Sequence, residues 1–128
     1  MNPRWEYLTA EDLVVLTALL LGDPPPIRDA GLLASAAARP QTTVFGQDAY
    51  PDLWTKAAAL LHSLVKNHAL VDGNKRLGWL ATAVFLGLNG VPAWKARNDD
   101  VYELVVAVAP GQPSIDELAD ELHRVVVG

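Results

Sequence analysis

The chain has 128 residues, 51% of them hydrophobic, a formal net charge of −5 and no cysteine. The absence of cysteine excludes a disulfide framework and a thiolate metal site, and the composition and charge argue against a disordered polar chain and a general nucleic-acid binder. The length suits a single domain over 1–128 with a sizeable core.

The apolar run Leu13–Leu21 is too short to span a membrane. Glu11 and Asp12 stand where a signal peptide carries positive charge, so a cytoplasmic protein without membrane contact is expected. The apolar excess fits an Ala- and Val-rich helical core, and it also fits a surface that a partner covers.

In chain order, the first helix is predicted from about Thr9 to Leu21. Thr9 caps it, Glu11 and Asp12 suit its first turn, and Gly22 with three prolines ends it. Gly22–Arg28 reads as a stiff, extended connector. A shorter helix is predicted from Asp29 to Arg39, stopped by Pro40. Thr42, Thr43, Val44 and Phe45 favour a strand and Gly46–Asp48 a turn, which gives a small hairpin or flap on a helical body.

A third helix is predicted from Pro51 or Asp52 to about His68. Leu53, Ala57, Leu60, Leu61 and Leu64 form its apolar stripe, and His68 falls on the same stripe. After a short linker, Asn74 is the expected N-cap of a fourth helix that runs to Asn89, with Gly90 beyond it. Leu77, Trp79, Leu80, Val84, Phe85 and Leu88 leave that helix almost no polar face, so it is expected to be central and buried. Asn98 or Asp99 caps a fifth helix to Val108, and Pro110–Pro113 breaks it. Ser114 and Glu117 form a capping box for a sixth helix to about Val127. The expected fold is all-α, or mostly α.

Between the two central helices lies HALVDGNKR, residues 68–76. Lys75 and Arg76 oppose the dipole of the helix they begin, at a cost of a few tenths of a kcal/mol to about 1 kcal/mol each. A bound anion removes that cost. Free amides at a helix start, a glycine that permits close approach (Gly73) and two cationic side chains describe a phosphate site. Solvation of both side chains, or pairing with nearby carboxylates, accounts for the same local pattern equally well. Asp72 is placed to help hold Mg²⁺ beside phosphate oxygens, or simply to make an Asp-Gly turn. His68 is a candidate general base, or a histidine satisfied at a helix C-terminus.

Other chemistries fail on spacing. The lysine is not followed by Ser or Thr as a P-loop requires. His62 and His68 are not four apart, and no H-E-x-x-H or G-x-S-x-G occurs.

The stretch from His68 to Arg76 resembles the signature of the Fic/Doc superfamily. Within it the match is to the death-on-curing branch, with the pattern H-x-F-x-D-(A/G)-N-K-R. The similarity extends over roughly Ile27–Val91, about half of the chain. It implies a compact helical bundle with a β-hairpin flap and an active-site loop between two central helices. It further implies that His68 activates a target hydroxyl, that Asp72 helps hold Mg²⁺, and that Gly73, Asn74, Lys75 and Arg76 bind the phosphates of ATP. Lys66 adds positive potential, and Thr42, Thr43, Val44 and Phe45 align a target peptide by strand addition.

Two departures stand out. Leu70 replaces the signature's aromatic residue, which calls for an adjusted pocket. Lys75 replaces the glycine of adenylylating members, which favours γ-phosphate transfer over adenylylation. No (S/T)-x-x-x-E-(G/N) inhibitory motif occurs. The resemblance thus implies the toxin of a type II toxin–antitoxin system, controlled by a Phd-like antitoxin through that partner's C-terminal segment. Its activity would be that of a Mg²⁺/ATP-dependent protein kinase acting on a threonine of elongation factor Tu and so blocking translation. The alternatives are a protein adenylyltransferase and a non-catalytic regulatory module of the same fold.

Overall fold

The computed structural model describes residues 5–108, 110 and 113–128. Among these the elements run α1 (Ala10–Leu21), α2 (Ala30–Ala38), a 3₁₀ turn (Arg39–Gln41), β1 (Thr43–Val44) and β2 (Gln47–Asp48). There follow α3 (Leu53–Asn67), α4 (Asn74–Leu88), α5 (Asn98–Val108) and α6 (Ile115–Val127). The architecture is the mostly-α bundle with a small hairpin that the periodicity predicts.

Local chemistry sets most boundaries. Thr9 and Asp12 exchange hydrogen bonds with each other's backbone N–H at the start of α1, and Ser114 and Glu117 do the same for α6. The Asp52 carboxylate accepts from the Thr55 N–H at 2.9 Å and opens α3. α2 stops one residue short of Arg39, and Pro40 sits inside the 3₁₀ turn instead of ending the α-helix. α5 begins at Asn98, so its cap precedes both expected residues. The predicted break at Pro110–Pro113 lies partly outside the described residues.

The central helix is α3, not α4. α3 packs against α2, α4, α5 and α6, and Lys56, Ala57, Ala58, Leu60, Leu61 and Leu64 are all buried. α4 buries Leu77, Gly78, Ala81, Phe85 and Leu86 against the bundle. Its opposite side, with Trp79, Leu80 and Val84, is only half-covered, and Leu88 is exposed. An all-round apolar helix can serve a core or an open groove, and here it serves both. Gly78 makes the α3–α4 contact close, since a Cβ there would lie 2.9 Å from Val65 Cγ2.

The hairpin pairs Thr43 with Asp48 and Val44 with Gln47. Its two-residue turn has positive φ at both positions, 52° at Phe45 and 78° at Gly46, the turn whose twist matches a tight hairpin. Both strands are exposed, and the Phe45 side chain projects fully into solvent.

Candidate active site

The loop between α3 and α4 begins at His68, which takes a left-handed conformation (φ 53°, ψ 48°) and ends α3. The apolar stripe of α3 therefore stops before His68. Its side chain is exposed rather than facing the core as the helical spacing predicts, because the chain leaves the helix there.

The loop is held from two sides. The Arg28 guanidinium donates to the His68 carbonyl through Nε at 3.0 Å and also through Nη2. The backbone around Ile27 pairs with the loop like a strand. Arg28 and Asp29 N–H both donate to the Ala69 carbonyl, at 2.8 and 3.0 Å, and Val71 N–H donates to the Pro26 carbonyl at 3.0 Å. The extended connector of prolines thus acts as a splint for the loop. Leu70 is the buried anchor, 1% exposed, so an aliphatic side chain fills the place of the signature's aromatic one.

Asn74 does not cap α4. Gly73 is the N-cap, with φ 88°, and Asn74 is the first helical residue. Its side chain instead accepts from the Leu70 N–H at 3.0 Å and donates to the Leu70 carbonyl at 3.2 Å, closing the loop on itself. The sequence could not distinguish a cap from this clamp, since both use the same amide. Gly73 suits its place on two counts: its φ is positive, and a Cβ would lie 2.7 Å from Leu21 Cδ1 at the end of α1, so that the Leu21 tip would have to move.

The result is a cavity of about 310 Å³ lined by Val65, His68, Val71 and the unbroken run from Asp72 to Arg76. No side chain caps the first turn of α4, and Asn74, Lys75 and Arg76 of that turn line this space. Lys75 and Arg76 are exposed and, among the described residues, form no ion pair, which removes carboxylate pairing as an explanation of their position. The Asp72 carboxylate accepts from the Gly73 N–H at 2.8 Å through one oxygen.

Among the described residues no group of three or more His, Asp or Glu side chains could cage a metal. A single carboxylate beside cations and amides instead suits an ion shared with phosphate oxygens. Lys66 and the hairpin residues Thr42–Phe45 do not line this cavity.

Farther back on α3, His62 Nδ1 lies 2.7 Å from Arg39 Nη1. A guanidinium can only donate, so Nδ1 must be the acceptor. Burial, then the charges of Arg39 and Lys66, hold the His62 pKa below the ordinary histidine value. A second, apolar groove of about 560 Å³ runs between α4 and α5. Leu20, Trp79, Leu80, Tyr102 and Val105 line it, and Lys75 and Arg76 lie on its rim as well as in the first cavity.

A family model described as Fic/DOC matches residues 7–86. The chain belongs to the Fic/DOC family. Toxin Doc of Mycolicibacterium smegmatis is 50% identical over 118 residues, covering 91% of this chain and 91% of that protein. Protein kinase doc of Escherichia phage P1 is 27% identical over 121 residues, covering 92% of this chain and 94% of that protein. The matched family region contains the whole loop from His68 to Arg76, the Arg28 splint and the hairpin. In this Fic/DOC chain no helix of the described residues is long and apolar enough to cross a membrane.

Proposed function

We propose that this Fic/DOC protein is the toxin of a toxin–antitoxin pair and transfers the γ-phosphoryl group of ATP to a hydroxyl of a protein. The observation that carries the reading is the convergence of His68, Asp72, Lys75, Arg76 and the uncapped amides of α4 on one cavity. The relatives named as a toxin and as a protein kinase support it.

In this reading the α4 amides, Lys75 and Arg76 bind the phosphates, and Gly73 lets them approach the backbone. Asp72 would help hold Mg²⁺ at the phosphates, where the ion would supply charge neutralisation for the transferring group. A ring nitrogen of His68 accepts the proton of the target hydroxyl as its oxygen bonds to the γ-phosphorus. The bond from that phosphorus to the β–γ bridging oxygen breaks, and ADP leaves. Arg28 and Asn74 fix the loop so that His68 keeps its left-handed turn. Lys66 contributes positive potential from the last turn of α3.

The hairpin, Thr42–Phe45, docks the target as an added strand. A threonine of elongation factor Tu is the first substrate to test, and its modification would stop translation in the cytoplasm. The antitoxin's C-terminal segment takes the apolar groove between α4 and α5. Because that groove shares Lys75 and Arg76 with the phosphate cavity, its occupant can oppose nucleotide binding. Mass spectrometry of lysate proteins after incubation with ATP tests the reading: one protein should gain the mass of a phosphoryl group. A gain of an adenylyl mass would select adenylylation instead. No modification in the absence of antitoxin would favour a non-catalytic module.

A further inference from the structure

Lys56 is fully buried, at 0% exposure, and takes no part in the proposed transfer. Its ammonium donates to the Pro40 carbonyl at 3.2 Å and to Asp48 Oδ2 at 3.3 Å, and it lies 5.7 Å from the centre of the Tyr7 ring. Pro40 precedes β1 and Asp48 ends β2, so one charge holds both roots of the hairpin.

The hairpin needs such a tether. Two strands of two residues are marginal alone, and neither buries an apolar face that could set its orientation against the bundle. A buried lysine is a costly way to fill a core, where an apolar side chain of like volume serves as well or better. What the ammonium adds is direction: its donors fix two acceptors relative to α3. Arg39 grips the same region from beside Lys56. Its Nε donates to Tyr50 Oη at 3.1 Å and its Nη1 to Ser63 Oγ at 3.0 Å, while its carbonyl accepts from the Thr42 N–H.

We propose that Lys56 is a positioning residue for the polypeptide substrate: from inside the core it pins the hairpin to α3, so that the exposed β1 edge meets the target at a set angle to the catalytic loop. This rests on the hairpin being the docking strand. Lys56 touches neither nucleotide nor target; it acts through Pro40 and Asp48.

The test compares the full-length protein with Lys56→Met and Asp48→Asn. The second variant changes a half-exposed side chain and spares the core. Hydrogen exchange of the segment Thr42–Ala49 should quicken about tenfold in Lys56→Met, the loss expected for one charge-assisted hydrogen bond, and by less in Asp48→Asn, with the helices unchanged. With labelled ATP and lysate protein as probe, the lysate concentration for half-maximal transfer should rise several-fold, while the half-saturating ATP concentration stays as in the wild type. Unchanged hairpin exchange in both variants, or quickening spread evenly over the helices, would overturn the proposal. So would an unchanged lysate dependence beside a loosened hairpin. A wild type that transfers no phosphate defeats the kinase reading separately; the exchange comparison then decides the tether by itself.

Discussion

Two glycines have almost the same backbone, Gly73 at φ 88° and Gly90 at φ 87°, yet different surroundings. A Cβ on Gly90 meets nothing within 4 Å, whereas one on Gly73 falls 2.7 Å from Leu21 Cδ1 and 3.1 Å from Cδ2. Substitution by alanine therefore separates backbone strain from the close approach of α1 to the loop between α3 and α4. Gly90→Ala should cost about 1–2 kcal/mol, the usual penalty for a Cβ in the left-handed region. Gly73→Ala carries the same penalty plus overpacking of about 1–3 kcal/mol. Leu21 is only partly buried and can swing aside, so the low end is expected, about 1 kcal/mol beyond Gly90→Ala. Urea unfolding at matched m-values measures the difference. Adding Leu21→Ala to Gly73→Ala should recover most of the excess, as coupled neighbours do. Equal costs for the two glycines, or no recovery, would refute the account of how α1 supports the loop.

Asn74→Ala should lose about 1–3 kcal/mol, since it strips both partners from the Leu70 backbone, and it should quicken amide exchange at Leu70 more than in α4. Because His62 in the folded chain has a pKa below its ordinary value, the unfolded chain binds the extra proton first as pH falls. Its contribution to stability is thus complete above the ordinary histidine range, begins to be lost as pH falls below about 6.5, and is gone once pH has fallen through the lowered folded value. Melting temperatures at neutral and mildly acidic pH should show a smaller acid loss in His62→Gln than in the wild type.

The helix starts were readable because Thr9, Asp52 and Ser114 cap through residues three positions on, a wholly local interaction. The hairpin was readable from β-branched residues followed by glycine, and the loop because most of its cavity lining is one consecutive run, 71–76. What the sequence hid is non-local. Arg28 reaches the His68 carbonyl across 40 positions, and nothing at either residue signals the other. Asn74 carries the chemistry of a cap, and only the folded loop turns it toward Leu70. The apolarity of α4 misidentified the central helix, since hydrophobicity alone does not separate a core face from an open groove. Lys56 gave no signal either, being one cation within an apolar helix pattern.

The central claim is γ-phosphoryl transfer at the cavity shared by His68, Asp72, Lys75 and Arg76. The most direct measurement incubates the purified protein, Mg²⁺ and elongation factor Tu or lysate with ATP labelled separately at the α- and γ-phosphates. Label from the γ-position alone should reach protein, and His68→Ala, with its fold intact, should lower the rate about 10²–10⁴-fold, the usual worth of a general base. Label from the α-position, or undiminished transfer by His68→Ala, would contradict the account.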